Sequence, residues 1–269
     1  MNKVVILGFI QAVTEFLPVS SSGHLRIAEY FLNFYSENIL SFEIALHFGT
    51  FLATCIIFNK DIIKAVSGFF LGLKDFRNSS VNNEGFRMSV MVIIASIPIA
   101  VTGLFLEKYL SNLNLDRIGI NLIITGSILL LTRRLDKNIY GNDLKDIFTM
   151  TYKDSFFIGL AQSAAIFPGI SRSGMTISIA LFLGLNRDLA GRFSFLISLP
   201  AIFGALLLSL KDIVYFDIKY AAVGFITAFI FGFIALKFLM SFLKNGKLFY
   251  FGFYCIIAGM AVFFYFMKV

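Results

Sequence analysis

Gln11-Ala12-Val13-Thr14-Glu15-Phe16-Leu17-Pro18-Val19-Ser20-Ser21-Ser22-Gly23-His24 sets a carboxylate, a run of hydroxyls, a glycine and an imidazole inside an otherwise apolar segment. Hydrocarbon penalises every one of those groups, so an ionisable side chain at this depth points to a functional site. A second apolar run is interrupted in the same manner between Gln162 and Gly174, where Pro168-Gly169-Ile170-Ser171-Arg172-Ser173-Gly174 stands. These two breaks decide both the fold and the chemistry.

The chain around them is that of an integral membrane protein. It has 269 residues, 58% hydrophobic and only 14% charged, against about 25% charged in an average soluble domain. Six stretches read as full spans, at 41–58, 87–107, 117–133, 192–210, 219–240 and 247–267, each near the roughly 20 residues a crossing helix needs. The two broken segments, 4–34 and 154–185, read as re-entrant helical hairpins, which keep open backbone away from lipid only when buried in protein or facing a watery cavity. The connectors 59–86 and 134–153 read as surface loops. The expected fold is therefore an all-α polytopic membrane protein, a single membrane domain over residues 1–269.

At an offset of 151 residues the two breaks align without gaps. Gly8 meets Gly159, Gln11 meets Gln162, Phe16 meets Phe167, Ser20 meets Ser171, Ser22 meets Ser173 and Gly23 meets Gly174. Polar identities in so oily a chain indicate an internal duplication, with repeats starting near 4 and near 154. Three full spans separate the hairpins, so they enter from opposite faces. That is an inverted repeat, which places a site near the midplane at discontinuous helices.

The formal net charge of +7 is read as the positive-inside effect, not as nucleic-acid binding. Lys60, Lys64, Arg77, Arg87, Arg133, Arg134, Lys145, Arg187, Arg192 and Lys244 fall on one side. The other side holds few cations, among them Lys3, Arg117, Lys211 and Lys219. The richer side is expected to be cytoplasmic, with both termini and the mouth of the first hairpin facing outward. The predicted location is the cytoplasmic (inner) membrane.

The polar groups suit an anion. Arg172 carries a permanent planar charge that matches phosphate oxygens, in a Ser171–Gly174 turn whose hydroxyls and amides open a helix. Ser20, Ser21, Ser22 and Gly23 form a second such cradle. Glu15 is a hard oxygen ligand or a base, and His24 exchanges protons near neutral pH. Together these describe a phosphoryl-transfer site. Blander readings stand beside it: a packing role for the serines, a structural Glu15–Arg172 ion pair, and backbone satisfaction by Gln11 and Gln162. Glu43 and His47, one turn apart on a span, read equally as site neighbours or as structural groups.

Glu15 to His24 and Pro168 to Gly174 resemble the two signature motifs of the bacterial undecaprenyl-diphosphate phosphatases, the bacitracin-resistance protein family. The resemblance extends to Ala45-Leu46-His47-Phe48-Gly49-Thr50 and Arg192-Phe193-Ser194-Phe195-Leu196-Ile197-Ser198-Leu199-Pro200. It implies hydrolysis of undecaprenyl diphosphate to undecaprenyl phosphate and inorganic phosphate, recycling the lipid carrier of cell-wall synthesis. It also implies an outward-facing site, a homodimer, and a divalent cation (Mg2+ or Ca2+) with Glu15 among its ligands. Position by position, the catalytic residues fall on Glu15, Ser21, His24 and Arg172. Gln11, Gln162, Ser20, Ser22, Gly23, Gly169, Ser171, Ser173 and Gly174 form the expected substrate cradle. Gln11 occupies the first position of the family's acidic pair, so a mechanism needing two carboxylates there does not suit this chain. The alternative function is a polyprenyl-phosphate flippase or ion-coupled transporter, since inverted repeats with broken helices are a transporter signature.

Overall fold

The computed structural model describes residues 1–34, 39–74, 82–110, 115–138, 144–209 and 217–268. Among them run twelve helices: α1 (Asn2–Phe16), α2 (Ser21–Leu32), α3 (Ile39–Ile57), α4 (Asn59–Gly72), α5 (Glu84–Leu110) and α6 (Leu115–Leu131), followed by α7 (Arg133–Asn138), α8 (Tyr152–Ala164), α9 (Arg172–Phe182), α10 (Arg187–Ser209), α11 (Ile218–Lys244) and α12 (Tyr250–Phe266). Arg77 and Lys211, used above in the charge reading, lie outside the described residues.

The protein is an all-α polytopic membrane protein. Segments Glu84–Phe105, Leu115–Leu135, Arg187–Leu208 and Ile218–Lys244 are each long and apolar enough to cross a bilayer. The span expected at 41–58 runs straight to Ile57 and then turns by 77° into α4. α12 is a shorter apolar helix.

The connectors are less loop-like than their charge suggested. α4 occupies 59–72, and α7 together with a tied turn fills much of 134–153. α4 packs closely on α5 through its glycines: a Cβ on Gly68 would come within 2.6 Å of the carbonyl carbon of Gly85, and one on Gly72 would enter the Phe86 ring. Lys64 also pairs with Glu84.

Each broken segment is a pair of short helices. α1 ends where Pro18 forces its predecessor out of helical geometry, and Leu17 is extended at φ −62°, ψ 142°. Ser20 then caps α2, its Oγ accepting the Gly23 N–H at 3.4 Å, with φ at 71°. A non-glycine residue held in that region stores strain on the order of 1–3 kcal/mol and persists only where its surroundings dictate it. Here the surroundings are the other hairpin, since Ser20 Oγ also accepts the N–H of Gly169 at 3.1 Å. In the second segment a Thr151–Asp154 capping box starts α8, and Ser171 caps α9 by accepting the Gly174 N–H at 3.1 Å. Gly169, at φ 95°, joins them, and a Cβ there would stand 2.6 Å from the Ile118 carbonyl oxygen.

Two contacts between long helices hold these hairpins. Gly119 and Gly126 of α6 oppose Gly259 and Gly252 of α12, and a Cβ on any of the four would lie 2.6–2.7 Å from the opposing carbonyl oxygen. Small residues at such spacing let two backbones touch in a membrane, where packing and not water exclusion drives association. On the other flank α3 meets α11, with the Cβ position of Gly49 only 2.6 Å from the Phe225 carbonyl oxygen. Between the flanks, Phe16, Ile177, Phe193 and Phe195 bring α1, α9 and α10 into one buried cluster. At the cation-rich end, Arg192 pairs with Asp61 and Asp188, Lys145 pairs with Asp154 at 2.8 Å, and Arg87 donates to the Ile147 and Met150 carbonyls.

Candidate active site

The last turn of α1 delivers Glu15, only 8% exposed, to the junction of the two hairpins. Its Oε1 accepts from the Arg172 guanidinium at 2.7 Å. Its Oε2 accepts from the Ser21 hydroxyl at 2.6 Å and from Gln11 Nε2 at 3.1 Å. Ser21 and Arg172 are the first residues of α2 and α9, and they occupy equivalent positions at the offset of 151 residues. The amino ends of two helices thus converge on one carboxylate. First-turn amides have no intrahelical acceptor and the macrodipole is positive there, so an anion is favoured from both sides.

Arg172 lies over the Phe195 ring at 5.9 Å, and one of its terminal nitrogens, Nη1, is buried with no hydrogen-bond partner among the described residues. A guanidinium grips oxyanions as a fork. With Nη2 spent on Glu15, Nη1 remains for a phosphate oxygen.

Both breaks are clamped from behind. On α6, Asn121 Nδ2 donates to the Pro168 carbonyl at 2.7 Å, and Thr125 Oγ1 donates to the Gly169 carbonyl at 3.0 Å while accepting the Ser171 N–H at 3.1 Å. On α12, Cys255 Sγ reaches the Pro18 carbonyl at 3.6 Å and Tyr254 reaches His24. Asn121, Thr125 and Tyr254 were not among the sequence candidates. The first two carry a usable signal, being polar residues four apart on one face of a span; Tyr254 carries none.

His24, which the resemblance places among the catalytic residues, makes its hydrogen bonds away from the Ser21 hydroxyl. Its Nδ1 is 2.8 Å from the Ser20 carbonyl and its Nε2 is 2.7 Å from the Tyr254 hydroxyl, with the two rings stacked. A carbonyl only accepts, so the proton sits on Nδ1 and Nε2 accepts from the tyrosine. Both nitrogens are occupied, and the group bonded to Ser21 is Glu15.

The remaining candidates divide. Ser22 pairs with Ser20 and Ser173 with Ser171, at 3.5 and 3.4 Å, and Gly23 packs against Gly169. Gly174 lies against Ser171 and Pro18. Gln162 stands apart, donating to the Ile197 carbonyl at 3.4 Å. Glu43 is bonded to Glu29. His47 does join the cluster, with Nδ1 3.0 Å from Gln11 Nε2 and 3.8 Å from Glu15 Oε2.

A serine on a buried carboxylate, an arginine with a spare nitrogen and two facing helix starts, all inside a multi-pass helical protein, define a membrane-embedded site for phosphoryl chemistry. Residues 4–261 match the family described as Bacitracin resistance protein BacA, and the chain belongs to that family. Its relatives include the undecaprenyl-diphosphatase of Desulfosudis oleivorans, 41% identical over 95% of this chain and 94% of the relative. The undecaprenyl-diphosphatase of Treponema denticola is 38% identical over 98% of this chain and 97% of its own length. That of Alkaliphilus metalliredigens is 37% identical over 97% and 96%.

Proposed function

We propose that this chain is a membrane phosphatase that hydrolyses undecaprenyl diphosphate to undecaprenyl phosphate and inorganic phosphate. The observation that carries the reading is the convergence of Ser21 and Arg172 on Glu15. Arg172 Nη1 and the first-turn amides of α2 and α9 take the terminal phosphoryl oxygens. Ser21 Oγ forms a bond to the terminal phosphorus as the bond from phosphorus to the bridging oxygen breaks. The serine proton passes to Glu15 Oε2, 2.6 Å away, and on to the departing lipid phosphate. Water then attacks the phosphoserine, giving one proton to Glu15 as the serine oxygen leaves and recovers it. Ser20, Gly169 and the α6 clamp keep both cradles in register. His24 positions the first break through Ser20 and Tyr254.

A divalent cation belongs to the same reading. Among the described residues there is no group of three or more His, Cys, Asp or Glu to hold a metal. Glu15 is one hard donor, and Gln11 Oε1 is a buried oxygen without a partner among the described residues. That pair fits an ion that brings its own ligands, and Mg2+, which retains waters and phosphate oxygens beside one or two carboxylates, fits better than Ca2+ with its 6–8 oxygens. When bound, the ion neutralises diphosphate charge.

We place the protein in the cytoplasmic membrane with the site facing outward, on the strength of the loop charges. The polyprenyl tail follows the ring row Phe203, Phe51, Phe48, Phe225 and Phe229, whose neighbours are 5.7–6.4 Å apart and whose middle ring, Phe48, follows His47 in the sequence. The homodimer rests on the family resemblance alone.

The test is phosphate release from a polyprenyl diphosphate by the purified protein in detergent, with and without EDTA, beside Ser21→Ala. Cation-dependent release that Ser21→Ala abolishes is expected. No release by folded wild type, with tracer lipid crossing proteoliposomes, would replace the phosphatase by the transporter.

A further inference from the structure

His47 is a group to which the proposed mechanism gives no task, yet it touches that machinery. Gln11 is fully buried, and its amide nitrogen has two hydrogens and two neighbours, Glu15 Oε2 at 3.1 Å and His47 Nδ1 at 3.0 Å. An amide nitrogen only donates, so Nδ1 is the acceptor of this pair. Reversing the amide would set its oxygen against the carboxylate oxygen and strand a hydrogen-bonding group in a buried site. The carboxylate therefore decides which way Gln11 faces, the ring holds the second hydrogen of the amide in place, and Gln11 in turn steadies the oxygen that receives the Ser21 proton.

The second half of the chain supplies an internal comparison. At the offset of 151 residues Gln162 replaces Gln11, Ile166 replaces Glu15 and Ser198 replaces His47. There the glutamine nitrogen donates to a backbone carbonyl, that of Ile197, and Ser198 turns to the Phe195 carbonyl at 2.7 Å. The imidazole partner occurs in the half that carries the carboxylate. Its side chain is 34% exposed, against 7% for Glu15, so it borders the opening of the site.

We propose that His47 is a positioning residue for the reaction: through the Gln11 amide it fixes the rotamer of the Glu15 carboxylate that takes the proton of Ser21. This rests on the phosphatase reading above. Misplacing a reacting group by about 1 Å costs on the order of a hundredfold in rate, and His47 acts at one remove.

The test is steady-state phosphate release by His47→Ala, His47→Gln, Gln11→Ala and the double variant Gln11→Ala/His47→Ala, with thermal unfolding of each in detergent. His47→Ala is expected to lower kcat by about tenfold or more with KM within about twofold of wild type. His47→Gln, which keeps an acceptor for the Gln11 amide, restores most of the rate. The double variant is no slower than Gln11→Ala. A wild-type rate in His47→Ala, a His47→Gln variant as slow as the alanine, or losses that multiply in the double variant would each overturn the proposal. So would a loss confined to melting temperature. An inactive wild type would instead overturn the phosphatase reading itself.

Discussion

Replacing Arg172 by lysine keeps the positive charge and removes the fork. In the resting protein one nitrogen of the guanidinium is bonded to Glu15 at 2.7 Å while another is buried and unpartnered. A lysine ammonium is a point donor, able to hold the carboxylate or the phosphate but not both in the geometry of a planar fork. One hydrogen bond to a charged group is then lost, about 1.5–3 kcal/mol, which at about 1.4 kcal/mol per decade lowers kcat/KM by about tenfold to a hundredfold. Arg172→Ala goes further. It removes the phosphate clamp, about a thousandfold or more by analogy with arginines that stabilise phosphoryl transfer. It also leaves Glu15 buried and unpaired, which costs about 3–5 kcal/mol of stability. Phosphate release and unfolding followed by circular dichroism in the same detergent measure the two effects separately. The expected order is a folded, slowed lysine variant and an inactive, destabilised alanine variant. A lysine variant at wild-type rate, or an alanine variant that unfolds with wild type, would refute the division of Arg172 between carboxylate and phosphate.

Gly126→Ala forces a methyl group to within 2.7 Å of the Gly252 carbonyl oxygen, whereas Gly103→Ala meets nothing within 4 Å. The first is expected to lose about 1–3 kcal/mol by overpacking, the second to gain up to about 1 kcal/mol from helix propensity, and unfolding curves compare them. Tyr254→Phe removes an exposed hydrogen bond to His24 Nε2, at a cost of about 0.5–1.5 kcal/mol; it is expected to stay within about tenfold of wild-type kcat, whereas Ser21→Ala falls to background. A Tyr254→Phe variant as inactive as Ser21→Ala would return His24 to the chemistry. In the loop before α8, the Thr149 amide and hydroxyl, helped by the Phe148 amide, hold the Asp146 carboxyl below its ordinary value of 3.8. A depressed folded value stabilises the protein above pH 3.8 and is lost as the pH falls through it. Thr149→Val is therefore expected to melt earlier than wild type at pH 7 and to converge with it in strong acid.

The spans were legible because hydrocarbon imposes length and composition on them: 87–107 and 219–240 fall within α5 and α11. The breaks were legible because a proline, a glycine and serine caps in an apolar run are local devices, although Ser20 and Gly169 are held in place by partners from distant parts of the chain. What remained hidden depends on partners far along the chain. Gly68 and Gly72, four apart on α4, announce a close helix neighbour without saying that it is Gly85 and Phe86. Helix rotation, which turns His24 towards Tyr254, 230 residues away, and leaves Ser21 facing Glu15, is set by packing and not by the motif. The motif named both side chains without saying which of them shares a hydrogen bond with the other.

The interlock of α6 with α12 has a consequence for biosynthesis. Ser20, Ser21 and His24 leave the ribosome well before Arg172, and Tyr254 and Cys255 follow later still. Insertion can thread every hairpin into the bilayer, yet the first break has no back support until α12 docks its glycines onto α6. α12 therefore acts as a latch, and a nascent chain gains its hydrolytic centre only once that helix has been made.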